Sequence, residues 1–148
     1  MEKLAVIASS PLFEMLSSAE LTRLAELARV RRFDAGEVVF EEGDLGDSLF
    51  LIVDGQMEVV RRLPGGEVCP LVVLSAPEFF GEMGLIDKDY RSATVRAKTD
   101  ANLLQLTAQD LRAFRQTHGD GFTFVVVNIA RNLSARLREA NARLAGKA

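Results

Sequence analysis

Between Ser10 and Val30 the apolar residues return at helical spacing: Leu12, Phe13 and Leu16, then Leu21, Leu24, Leu27 and Ala28. Ser17 and Ser18 ahead of Glu20 predict a fresh helix start, so this block reads as two short helices whose leucines pack a core. From Arg31 the pattern becomes strand-like. Val38-Val39-Phe40 lies between Asp34-Ala35-Gly36-Glu37 and Glu42-Gly43-Asp44, both of which carry turn chemistry. Ser48–Val53 and Gln56–Val60 flank Asp54-Gly55, which predicts a two-residue hairpin, and Pro64-Gly65-Gly66 turns the chain into Glu67–Leu74. Ala93–Ala97 and Ala101–Leu106 complete a series of short strands separated by glycine turns, the pattern of an antiparallel barrel or jelly roll. Gly36, Gly43, Gly46 and Gly55 are expected to shape turns and to bind nothing.

Helical spacing resumes at Thr107, with Asp110 in the first turn, Leu111 and Phe114 on one face, and a stop expected at His118-Gly119. A longer helix is predicted from about Phe122 to Leu144. Its seam of Val126, Ala130, Leu133, Leu137, Ala140 and Leu144 has heptad spacing, with Ile129 widening it toward the domain. Such a seam can lie against its own barrel or against a twin helix, and a homodimer through this helix is the expectation. The whole is therefore read as one α+β domain over 1–148: helices over about 10–30, a β-roll over about 31–106, and C-terminal helices over about 107–145.

Composition narrows the chemistry. The 148 residues are enough for one real core, and the net charge of −3 gives no basic field for nucleic acid. The single cysteine, Cys69, allows no internal disulfide and suits a reducing compartment. The opening residues lack signal-peptide architecture, and no apolar run approaches the ~20 residues that span a bilayer. A cytoplasmic protein with no membrane contact is expected. His118 is the only histidine, too few for a cupin-type metal centre, and Cys69 has no histidine near it in sequence to make it a nucleophile. No enzyme and no metal are expected.

The chemistry gathers between Phe79 and Ala97. Gly81 removes a side chain where something must approach the backbone, and Glu82 to Ile86 fit one helical turn whose free N–H groups attract an anion. Arg91 stands past that turn at a strand start, and its guanidinium fork suits a phosphate. Glu82, an acid beside an anion site, calls for a different ligand group such as a sugar hydroxyl, and Ser92 adds a hydroxyl next to Arg91. An anion and a hydroxyl on one small ligand describe a ribose phosphate. Taken singly, Arg91 is an ordinary surface charge, Glu82 a helix-start carboxylate favoured by the dipole, and Ser92 a surface serine.

Phe80-Gly81-Glu82-Met83-Gly84-Leu85-Ile86, followed by Tyr90-Arg91-Ser92-Ala93-Thr94-Val95-Arg96-Ala97, closely resembles the phosphate-binding cassette of the cyclic nucleotide-binding domain family. That family includes catabolite activators, kinase regulatory subunits and cyclic-nucleotide-gated channels. Tyr90 replaces a proline common there, and Gly84 is a variation within the pattern. The resemblance implies a β-roll binding cAMP, or less favourably cGMP, with Phe80, Gly81, Glu82, Met83, Gly84, Leu85, Arg91, Ser92, Ala93 and Val95 around the ligand. Arg91 would hold the phosphate and Glu82 the ribose 2′-OH, while Ser92 would take the phosphate or a syn guanine. Leu85 and Ile86 would pack on the hinge before the final helix, which would swing in as a lid and offer Asn141 and Arg138 to the base. The output would be a downstream protein reached by that helix. Two alternatives keep the fold: a catabolite-activator-type regulator cut before its winged helix, and an interaction module that binds no ligand.

Overall fold

The computed structural model describes residues 2–83 and 90–146. Helix α1 (Lys3–Ser9) opens the chain, followed by a 3-10 turn (Pro11–Phe13) and α2 (Ser18–Leu27). The expected first helix of the 10–30 block is thus only that 3-10 turn, because Pro11 starts it and Glu14 leaves helical geometry; α1 lies upstream of the predicted block. The start of α2 is as its sequence predicts. Ser17 accepts from the Glu20 N–H while Glu20 accepts from the Ser17 N–H, a reciprocal capping box.

Among the described residues eight strands follow: β1 (Arg29–Phe33), β2 (Val38–Phe40), β3 (Ser48–Asp54), β4 (Gln56–Arg62), β5 (Val68–Ser75), β6 (Phe79–Phe80), β7 (Thr94–Ala97) and β8 (Ala101–Thr107). They form two four-stranded antiparallel sheets, ordered β1-β8-β3-β6 and β2-β7-β4-β5. The fold is the antiparallel jelly-roll-like β-roll with flanking helices that the strand spacing predicts.

Strand β3 shows why the two sheets and the helices form one body. Alternate residues point to opposite faces. Leu49 and Leu51 join the helical cluster with Leu104, Leu106, Phe114, Val125 and Ile129, while Phe50 and Ile52 join Phe80, Met57, Val95 and Leu103 between the sheets. Both faces of β3 are covered, so it reads as an unbroken apolar run rather than an alternating one.

Asp54-Gly55 does not make the predicted hairpin. β3 and β4 lie in different sheets, and the dipeptide is the corner where the chain crosses between them. Gly55 has φ +82°, and a Cβ there would clash with the Asp100 carbonyl oxygen, so the corner is packed against the β7–β8 turn. Asp54 adds the cross-link, accepting hydrogen bonds from the backbone and side-chain amides of Asn102. The true hairpin is β4–β5, closed by Leu63 N–H donating to Glu67 and Gly66 N–H donating to Leu63.

Helix α3 (Ala108–Thr117) begins with a second capping box, between Thr107 and Asp110. Helix α4 (Gly119–Leu144) starts three residues before the predicted boundary: His118 bridges the helices, and Gly119 opens α4 rather than stopping α3. Gly121, Val125, Asn128 and Ile129 form its buried face. Of the predicted seam, Leu133 packs on the core, but Val126, Leu137 and Leu144 are exposed, the last by 86 %. Among the described residues no helix is long and apolar enough to cross a membrane.

Asn128 anchors α4 to the N-terminal segment. Its Nδ2 donates to the Leu12 carbonyl (3.0 Å) and the Glu14 carbonyl (2.9 Å) in a buried position. Asn128→Ala removes the donor and leaves the carbonyls behind. We expect a loss of about 1–3 kcal/mol in urea unfolding, with an unchanged m-value. Asn128→Leu should fare no better, since restoring apolar volume restores no donor.

Candidate functional site

Four segments converge on one cavity of about 770 Å³: the Phe79–Met83 run, Tyr90–Val95, the β2/β4/β5 wall and one face of α4. Strand β6 sets the first. Phe79 and Phe80 pair with Leu51 and Phe50 of β3, and Gly81 then turns the chain with φ +87°. A Cβ on Gly81 would lie 2.8 Å from the Ser48 carbonyl oxygen and 3.0 Å from Arg91 Nη1. Glycine is required here for both conformation and space.

Arg91 precedes β7 rather than beginning it. Tyr90 forms an isolated bridge to Leu45, Arg91 N–H donates to the Asp44 carbonyl, and Gly43 N–H donates back to the Arg91 carbonyl. The Arg91 side chain is turned inward and is only 8 % exposed. Nη1 donates to the Gly81 carbonyl (2.9 Å), Nη2 donates to the Ser48 carbonyl (2.7 Å), and Cζ lies 3.9 Å from the Phe40 ring centroid. Nε is buried with no hydrogen-bond acceptor. Among the described residues no carboxylate forms an ion pair with it. Burial pulls its pKa below the ordinary guanidinium value, while the fields of Asp47, Glu82 and Asp44 hold it up. The cavity wall therefore holds a fixed cation whose direct contacts are carbonyl dipoles and an aromatic face, with carboxylates near it but none ion-paired to it among the described residues, an arrangement that can take an anion.

Glu82 is 2 % exposed and meets a residue that the sequence did not single out. Arg136 of α4 donates through Nη1 to Glu82 Oε1 (3.3 Å) and through Nη2 to the Phe79 carbonyl (3.2 Å). The bond ties α4 directly to the Phe79–Met83 run. Only helical phase could have pointed to it: Asn132, Ala135, Arg136, Glu139 and Arg143 line the cavity at spacings of three and four, one stripe of α4.

Of the expected ligand residues, Phe80, Gly81, Glu82, Met83, Arg91, Ser92, Ala93 and Val95 all line this cavity. Gly84, Leu85 and Ile86, and with them most of the expected helical turn, lie outside the described residues. Asn141 is exposed and absent from the cavity wall, because five residues beyond Arg136 the helix has turned it about 140° away. Arg138 also points elsewhere, donating to Ser134. Gly46, expected only to shape a turn, is packed against Arg91: a Cβ there would lie 3.0 Å from Nε.

Residues 30–118 match the family described as cyclic nucleotide-binding domain. The chain is 36% identical to the cyclic AMP receptor protein of Thermus thermophilus over 91% of its own length and 61% of that protein. It is 42% identical to a cyclic nucleotide-gated potassium channel of Rhizobium etli over 72% of this chain and 28% of the channel. It thus spans less than two thirds of either relative. A crystal structure of a cyclic nucleotide-binding domain from Methylobacillus flagellatus superposes with a TM-score of 0.84 at 26% identity, covering 98% of this chain and 82% of that one.

The Glu82–Arg136 pair joins a buried acid to a side chain that is 41% exposed, so solvent screens part of its strength. Arg136→Leu should destabilise the fold by about 1–2 kcal/mol, less than for a fully buried pair. In a double-mutant cycle with Glu82→Gln, chemical denaturation should give a coupling of at least about 0.5 kcal/mol. Additive losses would show that the two side chains do not act on each other.

Proposed function

This chain belongs to the cyclic nucleotide-binding domain family, and from that premise we propose that it is a ligand-controlled regulatory module taking a cyclic purine nucleotide, cAMP in preference to cGMP. The observation that carries the reading is the buried guanidinium of Arg91 in the cavity wall, which no carboxylate among the described residues ion-pairs. A cyclic phosphate supplies the missing anion, and Arg91 Nε is a donor still without an acceptor. Glu82 takes the ribose 2′-OH. Its carboxylate has several acceptor sites, so a hydroxyl and Arg136 can share it. Phe80, Gly81 and Met83 close round the sugar phosphate, and Ser92, Ala93 and Val95 form the facing wall. We assign the chain no catalysis of its own and place it in the cytoplasm. The preference for cAMP is supported by the similarity to the Thermus cyclic AMP receptor protein.

The base faces the stripe of α4 that carries Asn132, Arg136 and Glu139. A ligand engaging Glu82 and this stripe biases the helix by its differential affinity for the helix's positions. The exposed Val126, Leu137 and Leu144 suit a second copy packing helix to helix, or a downstream protein read by the same surface.

Calorimetry with cAMP and cGMP on nucleotide-stripped protein tests the reading. Arg91→Ala should weaken binding by about 2–5 kcal/mol, roughly thirty- to several-thousand-fold, with Glu82→Gln losing less. Equal affinity in Arg91→Ala would remove the phosphate assignment. For the helix surface, Leu137→Glu should turn a dimer into a monomer in sedimentation without altering the fold; a wild type that sediments as a monomer at high concentration would exclude the twin helix.

A further inference from the structure

Arg91 is held by more than its two carbonyl acceptors. Its Cζ sits 3.9 Å from the centre of the Phe40 ring, and a Cβ on Gly46 would lie 3.0 Å from its Nε, tighter than ordinary van der Waals contact. Phe40 is itself fixed: its ring lies 6.2 Å from Phe50 and 5.9 Å from Phe80, which stack on each other at 5.3 Å. A register shift between Val38 and Phe40 in the β2–β7 pairing marks a local irregularity of the kind that re-aims a side chain, and Phe40 lines the cavity.

These contacts share one chemical property. An aromatic face, two carbonyls and a glycine backbone orient a guanidinium through partial charges and shape, and none cancels its formal charge. Asp47, Glu82 and Asp44 act on it through their fields without an ion pair; a carboxylate bonded to the guanidinium would hold the arginine more strongly but would neutralise it before any anion arrived. We propose that Phe40 and Gly46 are positioning residues for Arg91, forming a slot that fixes the guanidinium plane while leaving its charge for the ligand phosphate. The phosphate role rests on the nucleotide reading above; the slot itself does not.

The experiment separates the two. In ligand-free protein, the ¹H–¹⁵N signal of the Arg91 Nε–H, assigned by its loss in Arg91→Lys, should be protected from exchange and moved upfield by the Phe40 ring current. Phe40→Leu should abolish the upfield shift. Calorimetry with cAMP should show Phe40→Leu binding about 3- to 30-fold more weakly than wild type, as expected for a desolvated cation–π contact. Phe40→Tyr keeps the aromatic face and should stay within about twofold. In an Arg91→Lys background, where no planar fork remains, Phe40→Leu should change affinity by less than about twofold. An unshifted, fast-exchanging Nε–H would overturn the slot. The same loss from Phe40→Leu in both backgrounds would overturn the positioning role and leave Phe40 a packing residue. A wild type with the shifted signal that binds neither cAMP nor cGMP would overturn the nucleotide reading and the phosphate role with it.

Discussion

Burying a guanidinium removes it from water at an effective penalty of several kcal/mol, which a protein offsets only with well-placed partners. Arg91 is buried to 8 % exposure, and the partners come from parts of the chain far apart in sequence: Ser48 of β3, Gly81 after β6, Phe40 of β2 and Gly46 between β2 and β3. Both sheets must close before that set exists. The β-roll therefore serves as the frame that lets a cation persist in a half-dry cavity, and the glycines at 46 and 81 are the gaps through which its side chain fits.

The second constraint is that α4 is fastened at two points of different character. Near its start, Asn128 is buried and bonded to backbone carbonyls of the N-terminal segment, alongside Val125 and Ile129 in the helical core. Two turns later, Arg136 reaches a carboxylate and a carbonyl of the cavity wall and is itself part exposed. The first contact belongs to the core; the second belongs to the cavity wall. The Glu82–Arg136 contact joins the cavity wall to the long helix directly, with no third side chain between them.

Much of this was legible in the chain because it is local. Both capping boxes, Ser17 with Glu20 and Thr107 with Asp110, are chemistries contained within four consecutive residues. The short strands, the Pro64-Gly65-Gly66 hairpin and the Gly81-Glu82…Arg91 spacing are also written in neighbouring residues, and eight of the eleven expected ligand residues do line one cavity. The family and its β-roll follow from that local record.

Tertiary structure decided what depends on partners distant in sequence. Asp54-Gly55 has hairpin chemistry, yet it became a corner between sheets, because β3 finds β8 and β6 while β4 finds β5 and β7. Asn141 and Arg136 sit on one helix with similar polarity, and only the angle at which α4 leaves the core selects Arg136 for the cavity and turns Asn141 away. Gly46 resembled any turn glycine until Arg91, forty-five residues later, came to rest against it. By itself the sequence determined most of the elements and the family motif whose described residues line the cavity, since propensity, capping and motif spacing act over a few residues. Packing alone determined which strands pair, which stripe of α4 faces inward and what surrounds the buried arginine, because those are contacts between residues that the chain brings together only when it closes.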